Sequence, residues 1–326
     1  MRVHHYARHF SRRSWLGLVL SLSLAATAQA QVAKSVNEAV LSLETQVVSL
    51  TVTVSDKRGR HVSGLEQGAF ALFEDQVAQE ISYFTNDDTP ASIAIVFDLS
   101  GSMRDEKIKR AQLALERFMQ NCHVEDEYSL IGFNDHAWLA LDRTRDPQRL
   151  LRQFNSVKPY GNTALYDAVA LGLRHLEKGR HPRRVLLIIS DGDDNHSRAS
   201  LRQIKRQLNE SAALVYAIGV HDFALRNQIG GLILTELTEP SGGKAYFPKD
   251  GEAMSEAFEK IAVELRQQYS LGYTPSNFSA DGKWRKLKVK VTPPPETPGI
   301  VVRARVGYYA SPKRAPLADE VEAAHR

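Results

Sequence analysis

Residues 92–103 read SIAIVFDLSGSM, an apolar run that passes without a break into one carboxylate and two hydroxyl side chains. Five consecutive apolar residues, Ile93–Phe97, are typical of a central strand in a parallel sheet that is covered on both faces. The run ends at Asp98, and Ser100 and Ser102 follow at alternate positions. The stretch therefore predicts a buried strand followed by a turn rich in oxygen atoms.

A second stretch repeats this pattern. Val185–Ile189 is again a continuous apolar run, and it ends at Ser190, Asp191 and Gly192. In open α/β sheets, binding sites form beyond the carboxyl ends of the strands, where the strand order reverses. Two buried strands that end in acids would therefore bring Asp98 and Asp191 to one crevice.

The two carboxylates predict a metal site. They would repel each other in one crevice, and a hard divalent cation would relieve that repulsion. The hydroxyl groups of Ser100 and Ser102 add neutral oxygens on one tight turn, which Gly101 permits. Such an all-oxygen set favours Mg²⁺, Mn²⁺ or Ca²⁺ over zinc or copper. An alternative is that these Asp and Ser side chains only cap the helices that follow the strands.

At these residues the chain resembles a known family. Asp98-Leu99-Ser100-Gly101-Ser102 is similar to the Asp-x-Ser-x-Ser signature of von Willebrand factor type A (vWA) domains. In that family a threonine from a later loop and a distal aspartate complete the metal-ion-dependent adhesion site. Gly161–Leu165 resembles the threonine loop, and Ser190–Gly192 resembles the distal aspartate motif. The resemblance implies these metal ligands, direct or through water: Asp98, Ser100, Ser102, Thr163 and Asp191.

The amino-terminal 30 residues have the pattern of an export signal. They carry four arginines and no acid, then an apolar core from Trp15 to about Ala28, and a small-x-small cleavage site at Ala28–Ala30. The apolar core is shorter than the roughly 20 residues that a membrane span requires. We therefore predict a signal peptide at 1–30, for general or twin-arginine export, and a periplasmic or extracellular mature chain without a membrane span.

The net charge of the chain does not favour nucleic acid as a partner. The whole chain has a net charge of +4, but without the four arginines of the leader the 42 basic residues become 38, equal to the 38 acidic residues. A neutral mature chain gives no electrostatic argument for binding nucleic acid. No nucleic-acid partner is predicted.

Strand patterns flank an alternating β and α region. Short runs such as Val47–Val54 near the start, and Tyr269–Tyr273, Arg285–Val291 and Val301–Tyr308 near the end, predict a β-sandwich made from both flanks. Val54–Arg60 and Gly307–Ala310 resemble the flanks of bacterial VWFA-related proteins.

The predicted fold class is α/β. We expect a doubly wound, Rossmann-like vWA domain that is inserted in this β-sandwich. The predicted domains are the signal peptide at 1–30, flanks at 31–90 and 267–312, the vWA domain at 91–266 and a disordered tail at 313–326.

The predicted function is that of an exported, metal-dependent protein-binding or adhesion module, not an enzyme. A Mg²⁺-type ion would capture an Asp or Glu carboxylate of a protein partner. One alternative is a Mg²⁺-dependent hydrolase, although the sequence shows no convincing general base or nucleophile beside the ion. Another is a scaffold with a purely structural metal. Asp193 and Asp194 are expected to lie at the rim of the site, and the alternative is that they form a second ion site. The resemblance implies that the closing helix, Glu252–Gln268, can shift on binding.

Overall fold

The computed structural model describes residues 47–103, 105–156, 158–220, 228–297 and 299–310. The predicted signal peptide, the first part of the amino-terminal flank and the predicted disordered tail lie outside these ranges. Within them, no helix combines the length and the apolar character that a membrane crossing needs.

The described residues form fourteen strands and six α-helices. The strands are β1 (Val48–Asp56), β2 (Phe70–Glu74), β3 (Val77–Gln79), β4 (Ile81–Thr85), β5 (Ala91–Asp98), β6 (Glu127–Phe133), β7 (Ala137–Thr144), β8 (Arg183–Ser190), β9 (Leu214–Gly219), β10 (Lys244–Tyr246), β11 (Tyr269–Tyr273), β12 (Trp284–Val291), β13 (Ile300–Ala304) and β14 (Gly307–Tyr309). The helices are α1 (Asp105–Gln120), α2 (Pro147–Asn155), α3 (Leu165–Glu177), α4 (Leu201–Glu210), α5 (Gln228–Thr238) and α6 (Gly251–Arg266).

The central sheet has the strand order β10-β9-β8-β5-β6-β7. All neighbouring pairs are parallel except β6 and β7, which are antiparallel. Every residue of β5, β6 and β9 is buried, because the apolar runs of these strands face helices on both sides. The predicted α/β fold class is confirmed, with an antiparallel edge strand on the otherwise parallel sheet.

Helices cover both faces of this sheet. On one face α1 and α6 contribute buried residues such as Phe118 and Phe258, whose ring centroids lie 5.8 Å apart. On the other face α3, α4 and α5 contribute Val169, Ile204 and Leu234. The sheet is therefore doubly wound, and its loops meet at its carboxyl edge.

The two flanks of the chain join in a β-sandwich. One sheet has the order β13-β1-β11-β4 and the other has the order β14-β12-β2-β3. Val52 and Leu271 of the first sheet share a buried core with Leu72 and Leu287 of the second. This core explains why neither flank could fold alone: each sheet takes strands from both ends of the chain.

Two details differ from the predicted strands. The single strand predicted at Val301–Tyr308 is divided into β13, which pairs with β1, and β14, which pairs with β12. The chain changes sheets at Val306, whose backbone N–H donates to the carbonyl of Pro240 at 3.1 Å. The hairpin strand β3 was not predicted, because its turn uses Asp75 and Gln76 at positive φ in place of glycine.

Candidate metal centre

Asp98 lies at the carboxyl end of β5 and is completely buried. Its Oδ1 accepts a hydrogen bond from the backbone N–H of Ser100 at 2.9 Å. Its Oδ2 accepts from the hydroxyl of Ser190, which ends β8, at 2.7 Å. The side chain is therefore fixed between the two neighbouring central strands.

Hydroxyl groups connect this turn to the second acid. The Oγ atoms of Ser100 and Ser102 lie 3.0 Å apart. The Ser102 hydroxyl donates to Oδ2 of Asp191 at 2.6 Å. The structure thus brings four of the five predicted ligands, Asp98, Ser100, Ser102 and Asp191, into one connected group at the carboxyl edge of the sheet.

Backbone hydrogen bonds bring the threonine loop to the same edge. The N–H of Gly101 donates to the carbonyl of Gly161 at 3.0 Å, and the N–H of Tyr160 donates to the carbonyl of Leu99 at 2.9 Å. Gly161 has φ +79°, and a Cβ atom there would lie 2.6 Å from Asp135 Oδ2. Both facts favour glycine at this position.

Thr163 is buried and is held on its other side by the loop after β8. Its N–H donates to Oδ1 of Asn195 at 2.9 Å, and its carbonyl accepts from the N–H groups of Asn195 and His196 at 3.0 Å. Thr163 therefore lies between the Asp98 turn and the Asp191 loop. The helix α3 starts two residues later, at Leu165.

The two acids lack a compensating charge. Burial raises the pKa of Asp98 to about 6, and the negative charge of Asp191 adds to this shift. Among the described residues, no Lys, Arg or His side chain pairs with either carboxylate. The edge of the sheet consequently holds closely spaced negative charge without an ion pair from the described residues to either carboxylate, and Lys107 lies beside it, since its Nζ donates to the carbonyl of Ser102 at 3.2 Å.

The donor chemistry fits a hard cation. The five predicted ligands offer carboxylate and hydroxyl oxygens, which Mg²⁺, Mn²⁺ and Ca²⁺ prefer. In the described part of the chain, no group of three or more His, Cys, Asp or Glu side chains is arranged to hold a metal. A site made only of charged or imidazole ligands is therefore not formed there, and any ion at this edge would depend on the hydroxyl groups.

Sequence reasoning did not assign roles to Ser190 and Asn195. Ser190 is the first polar residue after the apolar run of β8, and this position was its only signal. Asn195 has no local signal, because its contact with Thr163 spans 32 residues.

Asp194, which was predicted to lie at the rim of the site, holds the start of α3. Its Oδ2 accepts from the backbone N–H of Tyr166 at 2.8 Å and from the Ser197 hydroxyl at 2.6 Å. These contacts satisfy an N–H group in the first turn of α3, which has no side-chain cap of its own.

Residues 93–193 match the sequence profile of the von Willebrand factor type A domain. This range contains Asp98, Thr163 and Asp191 and the loops that carry them. The central part of this chain is a vWA domain. Domains of this type typically mediate protein–protein interaction or adhesion.

The vWA region is also similar to parts of larger proteins. Human inter-alpha-trypsin inhibitor heavy chain H3 is 26% identical over 208 residues, which is 59% of this chain and 23% of that protein. Human heavy chain H4 is 22% identical over 204 residues, or 58% of this chain and 22% of that protein. The chain therefore spans less than a quarter of the length of these two relatives.

A solved von Willebrand factor type A structure from Catenulispora acidiphila superposes with a TM-score of 0.46 at 11% identity. The superposition covers 82% of this chain and 75% of that structure.

Proposed function

We propose that the vWA domain binds a divalent cation of the Mg²⁺ type at its carboxyl edge and uses it to capture a protein partner through an Asp or Glu carboxylate. One observation carries this proposal: Asp98 is fully buried beside Asp191, and neither has a cationic partner among the described residues. A bound cation would supply the missing positive charge and an open coordination position.

Each proposed ligand has a distinct contribution. Asp98 and Asp191 supply negative charge, whereas Ser100, Ser102 and Thr163 supply neutral oxygens. Because three of these five donors are neutral, the two carboxylates balance the +2 charge of the ion without exceeding it, and an incoming carboxylate could take the remaining coordination position of an octahedral ion. The exposed position of Ser102 gives a partner access from solvent.

Calorimetric titration with MgCl₂ tests the metal site. Asp98→Asn removes one charge and is expected to abolish Mg²⁺ binding. The matched control is Asp126→Asn, because Asp126 is also buried but lies at the opposite end of the sheet and accepts from the N–H groups of Ala91 and His123. This control is expected to bind Mg²⁺ like the wild type. Equal binding by the wild type and Asp98→Asn would overturn the proposal.

Capture of a partner needs a separate experiment. Immobilised protein is incubated with cell extract in MgCl₂, and retained proteins are eluted with EDTA. We expect a protein that is retained by the wild type and Asp126→Asn but not by Asp98→Asn. If Mg²⁺ binds and raises stability while no protein is released by EDTA, the metal is structural and the capture proposal is wrong.

We also propose that the protein is exported. The support is the basic and apolar pattern of residues 1–30 with its small-x-small site at Ala28–Ala30. Amino-terminal sequencing of the protein recovered from the producing cells is expected to begin at Gln31. A chain that retains Met1 in all cell fractions contradicts this proposal.

A further inference from the structure

A cavity of about 410 Å³ lies between the sandwich and the amino-terminal ends of the central strands. Thr51 of β1 and Tyr83 of β4 line it from the sandwich, and Pro182 and Ala212 line it from the vWA domain. Cavities of this size at domain junctions are typical of small-molecule sites.

The cavity is far from the candidate metal centre. Arg184, near the start of β8, is a lining residue, and Asp191 follows the end of the same strand. Seven residues of extended strand separate them by roughly 23 Å. A ligand in the cavity would therefore not contact the metal ligands.

Among the described residues, three arginines line the cavity and no Asp or Glu side chain does. They are Arg183 and Arg184 of β8 and Arg305 of the crossover between β13 and β14. None of them forms an ion pair with a described carboxylate within 4.0 Å, but Arg183 also lines a neighbouring cleft together with Asp88 and Asp126, whose negative charges act on it. Arg184 and Arg305 are therefore the two lining arginines on which the positive charge of the cavity depends.

Carbonyl groups position these guanidinium groups without neutralising them. Arg183 Nη1 donates to the carbonyls of Thr89 and Leu265 at 3.1 and 2.7 Å. Arg184 Nη2 donates to the carbonyl of Glu177 at 3.1 Å.

Some of the donor capacity remains unused. Nη2 of Arg183 and Nε of Arg184 are buried, and neither has a hydrogen-bond partner in the part of the chain that the structure describes. Arg305 donates to the carbonyls of Asn209 and Gly307. Burial lowers the pKa of Arg183 and of Arg305, which shows that their charged forms are held at a cost.

We propose that this cavity binds an organic anion, in which a carboxylate, phosphate or sulfonate group is attached to an apolar body. Arg184 and Arg305 would contact the anionic group, since guanidinium groups bind such oxyanions with strong charge-assisted hydrogen bonds. The exposed apolar side chains of Tyr83, Pro182 and Ala212 would cover the apolar body. Because Arg305 belongs to the sandwich flank and Arg184 to the vWA domain, the ligand would contact both parts of the molecule.

The test compares two fluorescent dyes. 8-Anilinonaphthalene-1-sulfonate carries an anionic group on an aromatic body, and N-phenyl-1-naphthylamine is its analogue without the sulfonate. We expect saturable binding of the sulfonate dye to the wild type and about tenfold weaker binding to Arg184→Gln and to Arg305→Gln, the cost of one charge-assisted contact. Arg202→Gln, on the exposed face of α4, is the matched control and is expected to bind like the wild type.

Two results would overturn the proposal. One is unchanged affinity for the sulfonate dye in both cavity variants, and the other is an equal loss of affinity for the neutral dye, which would make the cavity merely apolar. Thermal unfolding identifies a variant that fails to fold, and Arg184→Gln remains informative if Arg305→Gln does. Octanoate or octyl phosphate is expected to displace the sulfonate dye and so to identify the anion class; failure of both contradicts the proposal. Asp98→Asn should leave dye binding unchanged, which separates this site from the metal site.

Discussion

Glu264 and Asp98 are both buried carboxylates, but the protein compensates their charges in different ways. Glu264, on α6, pairs with Arg303 at 2.5 Å and accepts from the hydroxyls of Tyr216 and Thr53 at 2.5 and 3.2 Å. Asp98 accepts from the backbone N–H of Ser100 and from the Ser190 hydroxyl, and the charge of Asp191 acts against its ionisation. The buried carboxylate that joins two parts of the protein, Glu264, forms an ion pair, whereas Asp98 at the carboxyl edge of the central sheet forms none with the described residues.

The position of Glu264 explains why its charge must be satisfied. Arg303 and Thr53 belong to the sandwich, while Glu264 and Tyr216 belong to the vWA domain. Gln268 extends the same network, since its Nε2 donates to the Tyr216 hydroxyl at 3.0 Å. The network therefore fixes the end of the closing helix against the sandwich, and a shift of α6 would have to break it.

The largest expected effect comes from removing Glu264, the carboxylate that pairs with Arg303. Glu264→Ala leaves Arg303 as a buried charge without its partner, and the free energy of unfolding is expected to fall by about 3–5 kcal/mol. Urea denaturation of the wild type and the variant measures this change.

The matched control for this change removes both charges. In Glu264→Leu/Arg303→Met the unpaired charge is absent, so most of the lost stability should return. A single variant that differs from the wild type by less than about 1 kcal/mol would show that the pair behaves like an exposed salt bridge.

At the open site, ionisation of Asp98 should instead lower the stability of the metal-free protein. Asp98 has a pKa of about 6 in the native protein and 3.8 as its ordinary value. Between these two pH values the native state keeps a proton that the unfolded state has lost, so stability decreases as the pH rises. Above pH 6 the cost is complete, at about 3 kcal/mol in metal-free protein, or 1.36 kcal/mol for each pKa unit.

Urea denaturation in EDTA between pH 4 and pH 7 checks this expectation. Because other groups also titrate, the relevant quantity is the difference between the wild type and Asp98→Asn, and the variant should become the more stable protein as the pH rises. Excess MgCl₂ at pH 7 should stabilise the wild type but not the variant. If the free energies of unfolding of the two proteins changed in parallel with pH, the expected cost of ionising Asp98 would be refuted.

The smallest expected effect comes from a third kind of carboxylate, one that N–H and hydroxyl donors satisfy. Asp194→Ala removes the acceptor for Tyr166 N–H and for the Ser197 hydroxyl. The expected loss is about 1 kcal/mol in the free energy of unfolding, as for a helix cap, with unchanged Mg²⁺ affinity. Calorimetric titration beside urea denaturation separates the two properties. A tenfold weaker Mg²⁺ affinity would instead assign Asp194 to the metal site.

Local sequence was sufficient where burial controls the pattern. The continuous apolar runs of β5 and β8 predicted buried parallel strands, and β11 was predicted with its observed bounds, Tyr269–Tyr273. The acids that follow the two runs could be placed at one edge, because the carboxyl ends of parallel strands lie on the same side of a sheet. These inferences need only the identity and spacing of nearby residues.

Tertiary structure alone decided which distant groups meet. The Ser190 hydroxyl contacts Asp98 across 92 residues, and Arg303 reaches Glu264 from a strand that the sequence pattern had joined to β14. The convergence of Arg184 and Arg305 on one cavity likewise has no local signal. Periodicity records which face of an element is buried, but the partner of a buried polar group depends on how the elements pack. The sequence by itself therefore determined the sheet and its acidic edge, and only the packing of the sandwich against the vWA domain decided which charges are paired and which remain open.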